Sequence, residues 1–360
     1  MRYGKSLFFI LSAVMMMTGC SKDDGTDVPR ETNLQQQVVV TRDPDHGAKA
    51  SSVYRFEFKV DGTWSIYQGE SPLTIDMTTR VGYTTEREFM LDGFDAETRY
   101  YFRLVRDGSE TAVVSEVQLP FEGQRNFRDL GGTVMADGRK IRWGAIYRSG
   151  DLSELTPVDR AYFNSLGVTK VIDFRSDEEV AQAPDKLPEG MEVIRLPIDD
   201  TLISQDLILG WLRNQDTLAL DTLLDHVYTR FVTHYHDQFS LFLQQLENAD
   251  GPIVFHCTEG KDRAGWAATL FLAALGADKE TIYENYMASN RYLKERIEKT
   301  IQMVNLAGLN GELLRPILEV DTSYLERAIS LVEKEYGSLE NYLIQQMGVH
   351  PLALRSLYLE

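Results

Sequence analysis

Cysteine is almost missing: the 360 residues hold two, Cys20 and Cys257. Two cysteines that far apart make no disulfide framework, so a packed core must hold the fold together. Basic residues are short as well, 37 Lys and Arg against 55 Asp and Glu, for a formal net charge of −18. That balance argues against nucleic acid or an anionic membrane as a general partner, although a local basic pocket stays compatible with it. The apolar run from Ser6 to Met17 is too short to span a bilayer. Histidine is scarce, and His234 and His236, two apart, would point to different sides of a helix. No metal site and no cofactor are expected. The length suits two domains.

What is present begins with a basic stretch, Met1-Arg2-Tyr3-Gly4-Lys5, before the short apolar run. Met17-Thr18-Gly19-Cys20 follows, small residues immediately ahead of a cysteine. The arrangement resembles a bacterial lipoprotein signal over residues 1–19, with lipid on the Cys20 sulfur. An ordinary secretory signal is the alternative. Residues 20–33 are polar, acidic and aperiodic, a flexible tether similar to the export tag of some surface lipoproteins. The implied location is an anchor in the bacterial outer membrane, with surface exposure left open. Contact with the membrane would be through the lipid alone. One sulfur taken by lipid leaves Cys257 as a lone thiol.

Residues 34–120 have period two. In Tyr54-Arg55-Phe56-Glu57-Phe58-Lys59-Val60 the apolar and polar sides alternate, and Asp61-Gly62 is a turn. Further strands are expected over Thr63–Tyr67, Leu73–Met77 and Glu88–Leu91, with a hairpin over Thr98–Leu119 that turns at Asp107-Gly108. Closely spaced strands without helical stretches predict an all-β sandwich. Leu91 to Leu104 resembles the end of a fibronectin type III module, with Tyr100 as the corner tyrosine. Another immunoglobulin-like topology stays open. No catalytic constellation is visible here.

Residues 121–360 alternate strand and helix patterns, which predicts a mostly parallel sheet flanked by helices. The chemistry concentrates in Pro252 to Gly265. A strand-type run ends at His256, and a buried helix follows Arg263. Between them, Cys257 and Arg263 have the Cys-x5-Arg spacing of a phosphate-binding loop. A strand-to-helix turn aims backbone N–H groups and the helix's positive end at one point, where the planar fork of Arg263 adds its donors. The same field favours a thiolate, the nucleophile that phosphoryl transfer requires.

The string His-Cys-x-x-Gly-Lys-Asp-Arg-x-Gly over 256–265 resembles the bacterial tyrosine phosphatases that also act on phosphoinositides. So do Asn126-Phe127-Arg128-Asp129-Leu130-Gly131-Gly132, Tyr147-Arg148-Ser149-Gly150 and Asp173-Phe174-Arg175-Ser176. The resemblance implies a phosphatase fold and hydrolysis through a phosphocysteine. It makes Cys257 the nucleophile and Arg263 the phosphate ligand. Thr258, Glu259, Gly260 and Lys261 would line the loop, and Lys261 would favour substrates with more than one phosphate.

Asp262 ranks first as general acid, Asp173 second and Asp199 a distant third. Arg128 and Arg148 either contact substrate or support the opening loops. Leu202–Leu212 is either packed core or a lid over the pocket. Ala264 stands where the family usually carries a hydroxyl that helps the thiolate depart, which implies slow breakdown of the phosphocysteine.

The substrate could be phosphotyrosine protein, with phosphoserine and phosphothreonine possible additions, or a phosphoinositide or inositol phosphate. A sulfurtransferase of rhodanese type and a non-enzymatic surface-binding lipoprotein with a vestigial phosphatase domain are the remaining alternatives.

Overall fold

The computed structural model describes residues 37–44, 51–199, 205–214 and 217–360. The expected signal, the tether and Cys20 lie outside them. In the N-terminal unit, period-two apolar positions build seven strands: β1 (Val38–Pro44), β2 (Ser51–Phe58), β3 (Trp64–Gly69), β4 (Arg80–Thr84), β5 (Glu88–Asp95), β6 (Tyr101–Arg106) and β7 (Ser109–Val114). They form two antiparallel sheets of order β1-β2-β5 and β4-β3-β6-β7. Tyr54, Phe56 and Phe58 from one sheet share a core with Trp64, Ile66, Phe102 and Leu104 from the other. Arg55 and Glu57 stay half-exposed on the opposite side, as the alternation requires.

Two details differ from expectation. Leu73–Met77 forms no strand but a turn-rich loop with Leu73 85% exposed. The next strand is β4, whose Gly82 lets the Phe89 and Ile66 side chains approach: a Cβ there would lie 2.8 Å from the Phe89 ring. Its sequence, Arg-Val-Gly-Tyr-Thr, has too little alternation to be read in advance.

The second unit contains β8 (Arg128–Asp129), β9 (Ile146–Ser149), β10 (Lys170–Asp173), β11 (Glu192–Arg195) and β12 (Ile253–His256) in the order β11-β10-β12-β9-β8. The sheet is parallel except for β8, which runs antiparallel to β9. The connecting helices are α1 (Pro157–Ser165), α2 (Asp177–Gln182), α3 (Gln205–Asn214), α4 (Thr217–Thr233), α5 (His236–Glu247), α6 (Arg263–Leu275) and α7 (Lys279–Leu306). A single 3-10 turn leads to α8 (Arg315–Leu318), followed by α9 (Thr322–Tyr336), α10 (Leu339–Asn341) and α11 (Pro351–Tyr358).

Helix starts follow local chemistry. Thr156 and Ser176 each close a capping box, with Asp159 and Glu179 at the third helical position. The apolar positions Leu224, Val227, Tyr228, Phe231, Phe239, Phe242 and Leu246 all enter one core against α6 and the sheet. Ile208 and Leu212 of α3 pack with Val304 and Leu314, so the described part of Leu202–Leu212 is packed against helix α7 and the turn before α8, as the core reading of that segment expects.

The two units are joined by buried charge. Arg99, fully buried, donates to Asp129 Oδ2 at 2.8 Å, to the Tyr147 hydroxyl at 3.0 Å and to the Glu116 carbonyl at 2.9 Å. Tyr162 donates to Glu116 Oε1 at 2.7 Å, and the Trp143 indole donates to the Val113 carbonyl at 2.9 Å. Apart from the Arg99–Glu116 bond, which lies within the first unit, each of these bonds runs between a residue of 99–116 and one of 129–162, across the boundary expected near residue 120. The N-terminal unit is therefore seated on the second by desolvated ion pairs, which cost heavily if one partner is removed.

Candidate active site

Cys257 follows β12 directly, and the loop Thr258–Asp262 curls over the N-terminus of α6. Four donors hold the loop from behind. The Thr258 carbonyl accepts from the Asp151 amide at 3.0 Å, and the Glu259 carbonyl from Asn126 Nδ2 at 2.8 Å. The Gly260 and Lys261 carbonyls accept from Arg148 Nε at 2.9 Å and Nη2 at 3.0 Å. In a trans peptide the N–H points opposite to the C=O. Turning these four carbonyls outward therefore turns the amides of Glu259, Gly260, Lys261 and Asp262 inward, toward one anion position at the helix end. Gly260 makes the bend at φ 73°, and a Cβ there would lie 2.4 Å from the Ser149 carbonyl oxygen.

This geometry places Arg128 and Arg148 differently from one of the two expectations. Both are fully buried. Arg148 also reaches Asn285 Oδ1 at 2.9 Å, while Arg128 donates to Asn126 Oδ1 at 2.5 Å and to the Asn285 carbonyl at 3.1 Å. Burial first and the neighbouring Arg128 second push the Arg148 pKa well down, against the opposing pull of Cys257, Tyr228 and Tyr286. Of the two readings, loop support fits and direct substrate contact does not, because their donors face the back of the loop.

Arg263 is 9% exposed and is gripped end-on by Glu179, with Nη1 to Oε2 at 2.6 Å and Nη2 to Oε1 at 2.7 Å. Nη2 also donates to the Thr258 hydroxyl at 3.1 Å, and Nη1 to the Ile198 carbonyl at 3.2 Å. The Thr258 hydroxyl in turn donates to Glu179. Burial pushes the Glu179 carboxyl up, but the Arg263 fork, the Thr258 hydroxyl and the Ser176 amide outweigh it and bring the pKa down to about 2. Glu179 thus fixes the plane of the guanidinium. Sequence reasoning placed it only in an acidic run, although Ser176-x-x-Glu179 is a legible capping box that fixes where the helix points this carboxylate.

The acid candidates separate clearly. Asp173 is buried, and Arg175 takes both its oxygens, Nε to Oδ1 and Nη2 to Oδ2, each at 3.0 Å. Neither oxygen is available to a leaving group, which corrects its expected catalytic role. Asp262 keeps its side chain 27% exposed, with Oδ1 accepting from the Tyr228 hydroxyl at 2.9 Å and Oδ2 3.6 Å from Lys261 Nζ. Asp199 is exposed, and its carbonyl accepts from the Tyr235 hydroxyl.

Lys261 also departs from expectation. It is 4% exposed, and its ammonium donates to the Ile317 carbonyl of α8, so that turn covers it instead of leaving it to meet a second phosphate. Glu259 lies at the rim, paired with Arg296 at 3.0 Å.

Below the loop, His256 lies between Asp185, 3.3 Å from Nε2, and Asp173 at 3.8 Å. Burial works against a charge on His256, yet the two carboxylates outweigh it and raise its pKa. Asp173, Asp185 and His256 form the one group of metal-ligand type among the described residues. The Arg175 guanidinium, 3.0 and 2.7 Å from the two carboxylates, already supplies the cation there.

Comparison with known proteins finds relatives of this chain. A protein from Cupriavidus necator that carries a tyrosine-protein phosphatase name is 32% identical over 248 residues, covering 69% of this chain and 90% of its own length. The triple specificity protein phosphatase PtpB of Mycobacterium tuberculosis is 31% identical over 255 residues, covering 61% of this chain and 91% of its own. The crystal structure of P. aeruginosa TpbA aligns over 50% of this chain at 18% identity with a TM-score of 0.24, too distant a likeness to bear on the fold. Residues 119–360 match the profile of the tyrosine phosphatase family. Matched over residues 119–360, the chain belongs to the tyrosine phosphatase family.

Proposed function

We propose that the chain hydrolyses phosphotyrosine through a phosphocysteine on Cys257. The observation that carries this reading is the loop itself: four amides turned inward beside Cys257, with the Arg263 fork held in plane by Glu179. The Cys257 thiolate attacks phosphorus in line. The loop amides take the equatorial oxygens, whose charge the transition state spreads outward, and the Arg263 guanidinium, with Nη1 and Nη2 donating to Glu179, Ile198 and Thr258, adds its positive charge beside them. Asp262 protonates the departing phenolate and then, as carboxylate, takes a proton from the water that cleaves the S–P bond. Thr258, Glu259 and Gly260 contribute backbone, while Lys261 ties the loop to α8.

The covered position of Lys261 favours monophosphate esters such as phosphotyrosine over phosphoinositides. Measuring kcat/KM on phosphotyrosine peptides, phosphoserine peptides and inositol phosphates tests this, with the peptides bearing phosphotyrosine expected to lead. A preference for multiply phosphorylated inositols would overturn it. Vanadate should inhibit, and thiosulfate should not be turned over, which separates this reading from a sulfurtransferase.

Glu179→Gln should lower kcat/KM by roughly 10- to 100-fold, because a displaced guanidinium no longer meets the transferring group squarely. The pH dependence has a definite sign. The folded pKa of Glu179 lies near 2, below its unfolded value of about 4.3. Its contribution to stability is therefore complete above about pH 4.3 and lost as pH falls toward 2. Thermal unfolding curves of wild type and Glu179→Gln should differ at neutral pH and converge in acid; a gap that widens in acid would refute the assignment.

The strand order β1-β2-β5 and β4-β3-β6-β7, with the Tyr100 hydroxyl bonded to the Asp95 backbone, supports a fibronectin type III-like N-terminal unit. Lipid attachment at Cys20 and export to the outer membrane are proposed from the sequence alone. Labelling with a fatty acid, lost in Cys20→Ala, is the check.

A further inference from the structure

Asp262 does not cap the helix it precedes: its side chain makes no bond to the α6 backbone. It is held instead from two other helices. Tyr228 of α4 donates to Oδ1 at 2.9 Å, and the Tyr286 hydroxyl of α7 stands 2.5 Å from that of Tyr228. Both tyrosines are buried, at 0% and 1% exposure. Burial first, and the Asp262 charge second, raise the pKa of each phenol well above its ordinary value, so both keep their protons. The direction of the chain follows. Asp262 Oδ1 accepts, so the Tyr228 hydroxyl donates its hydrogen bond to Oδ1 and its oxygen accepts from Tyr286.

We propose that Tyr228 and Tyr286 are positioning residues for leaving-group protonation. The inference rests on the reading of Asp262 as the acid. With Oδ1 pinned, the proton sits on Oδ2, the oxygen on the Lys261 side. As the S–P bond forms and the P–O bond breaks, the Oδ2 proton passes to the leaving oxygen and Asp262 becomes a carboxylate. Tyr228 keeps its own proton throughout. Its hydrogen bond strengthens as negative charge builds on the acceptor, so it favours the transition state over the ground state. Lys261 Nζ, 3.6 Å from Oδ2, acts in the same direction.

The test compares Asp262→Asn, Tyr228→Phe and Tyr286→Phe on phosphotyrosine and on dinitrophenyl phosphate, whose leaving group needs no proton. Tyr228→Phe should lose about tenfold in kcat/KM on phosphotyrosine, the worth of a hydrogen bond to a charged acceptor, and less than about twofold on the dinitrophenyl ester. Tyr286→Phe should show the same selectivity at smaller size. Retained activity on the dinitrophenyl ester reports that each variant has folded. If Asp262→Asn is selective while both tyrosine variants lose equally on the two substrates, or lose nothing, the positioning role is overturned and the acid stands. If Asp262→Asn loses equally on both substrates, the acid reading fails and the positioning role fails with it.

Discussion

Cys257→Ser should reduce turnover to background while phosphotyrosine peptides still bind. Losing a nucleophile of this kind costs on the order of 10⁶-fold in the best-measured hydrolase. The anion site should survive, because it is formed by the loop amides and the Arg263 charge, and the carbonyls that orient the amides answer to Asp151, Asn126 and Arg148. Cys257 is 2% exposed and replaces a thiol of similar size by a hydroxyl, so the packing around it changes little. Calorimetry with a phosphotyrosine peptide should therefore give binding without hydrolysis. Turnover by Cys257→Ser at even a tenth of wild type would require another nucleophile, and among the described residues Cys257 is the free cysteine at the site.

Arg99→Met should destabilise the protein by about 3–5 kcal/mol, the cost of leaving the partner of a buried ion pair uncompensated. Asp129 lies wholly inside, and besides Arg99 it holds the Gly131 and Gly144 amides at 2.7 and 2.8 Å. Glu116, 3.8 Å from Arg99 Nε, would lose charge compensation too, although Arg42 stands 4.0 Å away. The damage should reach the active site. Asp129 and Arg128 are consecutive in β8, and Arg128 binds the Asn126 side chain that carries the Glu259 carbonyl. One cooperative unfolding transition, shifted as a whole by Arg99→Met, is the expected result. Two transitions, with only the earlier one moved by Arg99→Met, would mean that the N-terminal unit is a spacer and no part of the phosphatase framework.

The sequence made local features readable and left the long-range pairings dark. The loop from Cys257 to Arg263 was legible because its seven residues, a preceding strand and a following helix all agree within one short span. The capping boxes at Thr156 and Ser176 were legible for the same reason. Glu179 meets Arg263 across 84 residues, and Tyr228 meets Asp262 across 34. No local periodicity encodes either meeting: the apolar stripe of α4 absorbs Tyr228 as one more core position, and only the tertiary fold shows its hydroxyl turned to a carboxylate. Arg128 and Arg148 were legible as important and ambiguous in role, since an arginine that holds carbonyls and one that holds phosphate have the same spacing. Asp173 was misassigned because its motif names the residue without its partner, and Arg175, two positions on, consumes it. The N-terminal strands were readable from alternation, whereas Arg99 on the β-side of the boundary gave no sign that it ends inside the second unit.

The most direct measurement is an acid quench of wild-type protein during turnover of phosphotyrosine, followed by mass analysis of the peptide that contains Cys257. Ala264, where a hydroxyl would otherwise assist departure of the thiolate, favours accumulation of the intermediate. The account predicts the added mass of one phosphoryl group on Cys257, absent from Cys257→Ser and enriched in Asp262→Asn supplied with dinitrophenyl phosphate, whose leaving group needs no acid while the second step still lacks its base. Continued turnover with phosphoryl on another residue, or with none on Cys257 in either wild type or Asp262→Asn, would contradict it.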